Sequence, residues 1–153
     1  MVLARVPNDQ IRNRQSYEFF QQLDATGQPI WTRDINERGT VFNHAGKCYR
    51  SSISYNAGLR RYLWCQTLPG GDARFRGGFA IYDAPEPWGP WTTVSYTEEW
   101  DVGPGESSSF PTKWMSPDGQ TVYLVFSGDD CFSVRKATFV LHGSAARDKT
   151  SSP

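Results

Sequence analysis

Two stretches of the chain repeat one plan at an offset of 61 residues, measured from Gly58 to Gly119. Each has an alternating run of apolar and polar residues, a turn and a second run: "RSSISYNAGLRRYLWCQT" (50–67) and "PTKWMSPDGQTVYLVFSG" (111–128). A period of two is typical of β-strands, and Asn-Ala-Gly or Pro-Asp-Gly between two such runs is typical of a hairpin turn. The sequence therefore predicts two equivalent β-hairpins.

The repeat continues beyond the hairpins. A third apolar run follows each of them and a fourth follows the first unit: "GGFAIYDAP" (77–85), "CFSVRKATF" (131–139) and "WTTVSYT" (91–97). The N-terminus fits the same frame, with residues 2–7 as a third strand and 16–23 as a fourth. Four short antiparallel strands in ~60 residues are typical of a β-propeller blade.

The predicted fold class is all-β, a partial β-propeller with about 2.5 four-stranded antiparallel blades. The domain, residues 1–141, is expected to hold a half blade (1–23), a complete blade (41–97) and three strands of a further blade (107–141), followed by a disordered tail (142–153). Closed propellers typically have ~4–8 blades. We therefore expect either that N-terminal blades are missing or that copies of the chain complete the ring as a homo-oligomer.

The charge balance restricts the partners. Sixteen basic and 16 acidic residues give a formal net charge of zero, whereas nucleic acids and anionic membranes attract basic surfaces. No apolar run reaches the ~18 residues of a membrane helix, and the first ten residues lack the apolar core of a signal peptide. We expect no nucleic-acid or membrane partner, and the localisation stays unknown.

Three cysteines, Cys48, Cys65 and Cys131, occur without CxxC spacing. An odd number excludes a full disulfide framework, and the spacing argues against a metal cluster. A single Cys48–Cys65 bridge across a hairpin stays open as an alternative.

The corner "DAPEPWGPW" (83–91) combines three prolines with two tryptophans. Proline fixes the backbone and removes N–H donors, so the chain can turn sharply without ladder partners. Trp88 and Trp91 supply large apolar area for packing between neighbouring blades. We predict a scaffold role, and the alternative is that the tryptophans stack on a sugar.

Three stretches carry a resemblance to a known family: "YNAGLRRYLW", "GGFAIYDAPEPWGPW" and "FPTKWMSPDGQTVYLVFSG". They resemble the late, C-terminal blades of five-bladed β-propellers related to glycoside hydrolases. That group includes arabinanase-like enzymes and a bacterial domain-of-unknown-function family with arabinan-cleaving members. The resemblance runs from about Val2 to Leu141 and implies a carbohydrate-active protein. In such enzymes the catalytic carboxylates come from early blades, so catalytic residues stay unknown here.

Blade topology assigns the loops to two ends. In a propeller, the loops that join strand four to the next strand one, and strand two to strand three, lie at the ligand-facing end. Four loops are predicted there, at 36–50, 67–78, 97–109 and 127–131. The turns "NAGL", "SPDGQ" and "PEPWGP" are predicted at the far end, where they are structural.

The four loops hold much of the ionisable side-chain inventory. Converging carboxylates and guanidinium groups suit a polyhydroxylated sugar, because both can make paired hydrogen bonds. The predicted substrate-binding residues are Arg50, Asp72, Arg76, Trp100, Glu106 and Asp129. No cofactor and no metal are predicted, since the sequence has no Gly-rich phosphate loop, nucleophile elbow or zinc motif.

Several of these residues have a structural alternative. Arg50 can instead pair with a loop carboxylate such as Glu106, which by itself is an ordinary solvated charge. Asp129, beside Asp130, can be a turn former, although such a pair can also hold calcium. Trp100 can pack between blades rather than stack on a sugar.

The leading functional hypothesis is the C-terminal part of a carbohydrate-active, glycoside hydrolase-like β-propeller. Such a chain contributes substrate-binding loops for a polysaccharide or oligosaccharide without the full catalytic set, and we expect it to be inactive alone. The alternative is a non-catalytic carbohydrate-binding or self-assembling β module. A β-sandwich lectin is a third hypothesis, which requires the repeat to be coincidental.

Overall fold

The computed structural model describes residues 1–68 and 70–141. Within these residues, ten β-strands form three antiparallel sheets of three, four and three strands, and the helices are single 3-10 turns. The all-β expectation is confirmed, and the arrangement is consistent with part of a propeller fold. The tail predicted to be disordered, 142–153, lies outside the described residues.

The first sheet has one strand more than the sequence predicted. Its strands, in spatial order, are β1 (Ala4–Arg5), β2 (Glu18–Leu23) and β3 (Pro29–Thr32). The expected half blade ended at Leu23, but the Asp24 carboxylate accepts hydrogen bonds from the backbone N–H groups of Thr26 and Gln28, at 2.8 and 2.9 Å. This turn sends the chain back along β2, so a third strand forms.

The central sheet has the four antiparallel strands that the sequence predicted. Its four strands lie in chain order and are β4 (Ser51–Asn56), β5 (Arg61–Leu68), β6 (Gly78–Ala84) and β7 (Thr92–Thr97). The pairing of β5 with β6 runs from Tyr62 opposite Ala84 to Leu68 opposite Gly78. Strand β7 is the outer edge, and its side chains are largely exposed.

The last sheet differs from the predicted hairpin in its first arm. Its strands are β8 (Ser108–Ser109), β9 (Thr121–Phe126) and β10 (Ser133–Thr138), with β9 in the centre. The predicted first arm began at Pro111, where the chain instead forms a 3-10 turn over Thr112–Trp114. Proline has no N–H for a ladder, and its carbonyl accepts a hydrogen bond from Trp114 N–H at 2.9 Å. None of residues 111–120 belongs to a strand, and the first strand of this sheet lies before them, at Ser108–Ser109.

The central sheet is covered on both faces. On the face toward the last sheet, a core cluster contains Leu63, Cys65, Phe79, Phe110, Val122, Leu124 and Phe126. On the opposite face, Trp64, Leu68, Ala80 and Tyr82 pack with Phe42 and Trp91. Strand β5 therefore buries both of its sides, which explains why its sequence reads as a nearly continuous apolar run.

The two repeated turns touch each other. Asn56, completely buried, donates a hydrogen bond from its carboxamide to Gly119 O at 2.8 Å and accepts one from Leu59 N–H at 3.1 Å. A Cβ atom on Gly58 would overlap the backbone of Gly119, so the aligned glycines allow the close approach. The contact ties the central sheet to the last one.

The proline corner joins the first and central sheets. Trp88 meets Trp31 of β3 edge-to-face, with ring centroids 6.3 Å apart. Trp91 packs in the same way on Trp64 of β5, at 5.1 Å. Both tryptophans make the packing contacts that the scaffold interpretation predicts.

All three cysteines are free thiols, so the Cys48–Cys65 bridge left open by the sequence is absent. Burial raises the pKa of the Cys65 thiol strongly, whereas Cys131 is exposed. Among the residues that the structure describes, no helix has the length and apolar character needed to cross a membrane.

Candidate functional site

The sequence-predicted loops gather at one end of the sheets, which we call the loop end. Backbone N–H groups link them: Trp100 donates to Gly77 O at 2.9 Å, and Gly105 donates to Ala73 O at 2.8 Å. These bonds join the β5–β6 loop to the β7–β8 loop. A segment of irregular backbone is thereby fixed in position, as a binding surface requires.

One cavity at the loop end contains two of the predicted residues, and we call it the Arg76 cavity. Its volume is about 460 Å³, and it is lined by Gly70, Phe75, Arg76, Gly77, Glu98, Glu99 and Trp100. Ligand pockets combine aromatic walls with a few converging polar groups. Phe75 and Trp100 supply the rings, while Arg76 and two carboxylates supply the hydrogen-bonding groups.

One of the two carboxylates of the cavity, that of Glu98, is bound by two donors. Glu98 pairs with the Lys47 ammonium at 3.0 Å and accepts a hydrogen bond from the Tyr96 hydroxyl at 3.2 Å. These two donors, Lys47 foremost, hold the pKa of Glu98 below its usual value. Glu98 is thus a fixed anion and hydrogen-bond acceptor.

Arg76 keeps its donors available. Within residues 1–68 and 70–141, no carboxylate oxygen lies within the 4.0 Å of an ion pair with this guanidinium. A guanidinium presents five N–H donors in a planar fork, which can bind vicinal hydroxyls or a carboxylate. Arg76 is therefore the strongest binding candidate among the predicted residues.

Trp100 packs between sheets and also forms a wall of the cavity. Its ring stacks on Phe79 with centroids 4.7 Å apart and an interplanar angle of 17°. The Arg135 guanidinium lies 4.5 Å from the ring centroid and pairs with Asp101 at 2.7 Å. These contacts occupy much of the indole surface, as the packing alternative predicted.

Arg50 and Glu106 bind each other. Their side chains form an ion pair at 2.9 Å, and both are about half exposed. This is the structural alternative that the sequence left open for Arg50. Their mutual neutralisation removes two of the predicted residues from the list of free binding groups.

Asp72 and Asp129 serve the loop conformations. The Arg74 guanidinium binds Asp72 through two donors, at 3.0 and 2.7 Å, and so holds the pKa of Asp72 below its usual value. The Asp129 carboxylate accepts the Gly103 N–H at 2.9 Å and so joins two loops, while Asp129 itself has the positive φ, 47°, of a turn residue. Neither residue lines the Arg76 cavity.

The described part of the chain contains no preformed metal site. No group of three or more His, Cys, Asp or Glu side chains is arranged there to hold a metal ion. The Asp129–Asp130 pair is bound instead by backbone N–H and by Arg74.

Sequence reasoning placed Glu98 and Glu99 in the right loop but did not select them. Lys47 was missed altogether, because nothing local shows that it meets Glu98, 51 positions away. One feature of the sequence could have pointed to the residue that holds the Lys47 backbone: the polar Gln66 interrupts the apolar run of β5. The fully buried Gln66 carboxamide donates a hydrogen bond to Lys47 O.

Replacing Lys47 with methionine is expected to raise the pKa of Glu98 toward its usual value, because the main donor to its carboxylate is lost. The lowered pKa stabilises the fold above the usual carboxyl pKa, and this contribution is lost as the pH falls through the lowered value. A side-chain carboxyl NMR titration measures the change.

The matched control is Asp101, whose pKa is held down mainly by Arg135. It should titrate identically in both proteins. An unchanged Glu98 titration in Lys47→Met would show that the 3.0 Å pair does not exist in solution.

Comparison with known proteins finds a structural likeness. A scan against protein-family models finds no match, and a search of curated proteins finds none either. Among solved structures, the chain is similar to part of a crystal structure of exo-β-1,3-galactanase from Phanerochaete chrysosporium with galactose. The TM-score is 0.45, and the identity is 14% with 88% of this chain covered. The chain spans 34% of the length of that galactanase.

Proposed function

We propose that this chain is the C-terminal part of a carbohydrate-active, glycoside hydrolase-like β-propeller and that its loop end binds a polysaccharide or oligosaccharide. The single observation that carries this proposal is the Arg76 cavity. It combines an available guanidinium, two carboxylates and the exposed Phe75 ring, beside the packed Trp100, in about 460 Å³. Such a lining matches the alternating hydroxyl and C–H surface of a sugar ring.

The partial propeller is part of the proposal, with residues 1–141 as its domain. Three features support it: the sheets follow one another along the chain, the central sheet is covered on both faces, and the first strands of the central and last sheets contact each other. At that contact the Ser52 hydroxyl donates to Ser108 O at 2.5 Å. In a propeller the first strands of the blades surround the central axis.

The proposed role is binding rather than hydrolysis by the isolated chain. Glycoside hydrolysis needs one carboxylic acid with a raised pKa opposite a second carboxylate, at ~5–9.5 Å depending on the stereochemical outcome. At the loop end, Asp72, Glu98 and Asp101 have lowered pKa values because basic side chains bind them. Glu106 is engaged by Arg50. These carboxylates suit hydrogen-bond acceptance better than proton donation.

A self-assembling β module is the second candidate. It is favoured by exposed apolar side chains on the first and last sheets and their loops, among them Ile11, Ile35, Val134 and Val140. Copies that cover these surfaces would form a homo-oligomer. Sedimentation velocity tests it, and a monomer at high concentration would contradict it.

Affinity electrophoresis of the purified chain in gels containing arabinan, other plant polysaccharides or bacterial polysaccharides tests the binding function. We expect retardation in at least one gel. Arg76→Gln should weaken that binding about tenfold or more, because a hydrogen bond from a charged donor contributes about 1.5–3 kcal/mol.

Arg12→Gln is the matched control, because Arg12 is an exposed arginine that does not line the Arg76 cavity. It should bind as the parent does. Normal migration in every gel would reject the carbohydrate function. Retardation with equal loss in both variants would reject the Arg76 cavity as the binding site.

A further inference from the structure

A second cavity lies beside the loop end, on the last sheet. Its volume is about 450 Å³, and its lining includes Ser107, Ser109, Ser127, Asp130, Cys131 and Phe132. Hydroxyl and carboxylate groups can exchange hydrogen bonds with sugar hydroxyls, and a phenyl ring can pack on the C–H face of a sugar. We call it the Phe132 cavity.

The phenyl ring of this cavity is unusually accessible. Phe132 is 77% exposed, although phenylalanine is among the residues that proteins most often bury. An accessible aromatic ring that lines a cavity beside polar groups can stack on a ligand. The serine and aspartate side chains provide those polar groups.

The backbone beside Phe132 is held in an uncommon conformation. Asp129 and Asp130 both have positive φ angles, 47° and 60°. Left-handed conformations are costly for residues other than glycine, and they persist only where the surroundings fix them. Here the Asp129 carboxylate accepts the Gly103 N–H at 2.9 Å, and the Cys131 N–H donates to Gly128 O at 2.9 Å. The loop thus presents Asp130 and Phe132 in a fixed arrangement.

The two cavities are neighbours. Trp100 lines the Arg76 cavity, and its ring lies 5.0 Å from that of Phe126, which lines the Phe132 cavity. Between them Arg74 binds Asp72 and lies 4.0 Å from Asp130. Arg74 directly precedes Phe75 of the Arg76 cavity, so its ion pair with Asp130 connects the edges of the two linings.

We propose that the sugar-binding site continues across Arg74 into the Phe132 cavity, so that its ligand is an oligosaccharide segment of a polymer rather than a single sugar. This inference rests on the proposed carbohydrate function. The Arg76 cavity supplies guanidinium and carboxylate contacts to one part of the oligosaccharide. The Phe132 cavity supplies ring stacking and hydroxyl contacts to another part.

Isothermal titration calorimetry with a disaccharide and a hexasaccharide of the same polymer tests the inference. The pair is taken from the polysaccharide that retards the chain most, arabinobiose and arabinohexaose in the case of arabinan. The parent should bind the hexasaccharide at least about tenfold more tightly. Phe132→Ala should abolish most of that advantage.

Tyr123→Ala is the matched control, because Tyr123 is a partly exposed aromatic residue of the same sheet outside both linings. It should retain the chain-length preference. Equal affinity for the two sugars in the parent would overturn the inference and leave the proposed function standing. Binding of neither sugar would also overturn the inference, whereas normal migration in every gel is the result that rejects the proposed function.

The exposed Cys131 thiol gives an independent measurement. Hexasaccharide should slow the alkylation of Cys131 by iodoacetamide, and disaccharide should not, because only the longer ligand covers the Phe132 cavity. Cys131→Ser identifies the signal, because Cys65 is buried but Cys48 is partly accessible and can also react. An alkylation rate that hexasaccharide leaves unchanged would overturn the inference. The inference would also be overturned if Phe132→Ala converted an oligomer into monomers and left sugar binding unaltered.

Discussion

Replacing Trp64 with alanine is expected to lower the free energy of unfolding by about 3–5 kcal/mol, the usual cost of truncating a large buried aromatic side chain. Trp64 is completely buried in β5. Its ring meets Phe42 at 4.7 Å, Trp91 at 5.1 Å and Tyr82 at 5.9 Å, so the cavity left behind cannot close without moving three other rings. Urea denaturation followed by far-UV circular dichroism measures the loss.

Trp114→Ala is the matched control, since Trp114 is 45% exposed in a 3-10 turn. We expect it to cost about 1.5–2.5 kcal/mol, roughly half the loss at Trp64, because nearly half of the Trp114 surface is already exposed. Similar losses in the two variants would show that the aromatic cluster around Trp64 does not support the packing of the central sheet.

Gly119→Ala is expected to cost about 2–4 kcal/mol, by two mechanisms that add. At a φ of +73° a Cβ atom is strained, which costs about 1 kcal/mol. The added Cβ would also overlap the carboxamide oxygen of Asn56, and displacing this buried group leaves its hydrogen bonds unmade, at about 1–3 kcal/mol. Guanidinium denaturation of the variant measures the sum.

Gly46→Ala separates the two mechanisms. Gly46 has nearly the same φ, +70°, but a Cβ atom there meets no atom within 4 Å. It should cost about 1 kcal/mol, the conformational part alone. Equal losses at Gly46 and Gly119 would mean that the contact between the repeated turns adds no stability.

The central sheet could be predicted strand by strand because its signals are local. Alternation in β4, the Asn-Ala-Gly turn and the proline corner each act over a few residues, and all agree with the sheet that forms. The two glycines that the 61-residue offset aligns, Gly58 and Gly119, lie against each other in the structure.

The first and last sheets show where local signals end. Strand β3 is short and begins at Pro29, so its own pattern does not distinguish it from a loop. It becomes a strand because the turn at Asp24 reverses the chain and places these residues beside the free edge of β2, with which they pair. The repeat predicts a strand from Pro111, but proline lacks the N–H donor that a strand needs there. A 3-10 turn forms instead over Thr112–Trp114.

By itself, the sequence determined the all-β class, the period of the units and the loops that share an end, because strand alternation and turn chemistry depend on neighbouring residues. Tertiary structure alone decided how the loop charges are used: Arg50 neutralises Glu106 and Arg74 neutralises Asp72, while Arg76 faces a cavity with its donors available. Those outcomes depend on distances of a few ångströms between separate loops. The stacking of the sheets sets such distances, and no local pattern encodes them.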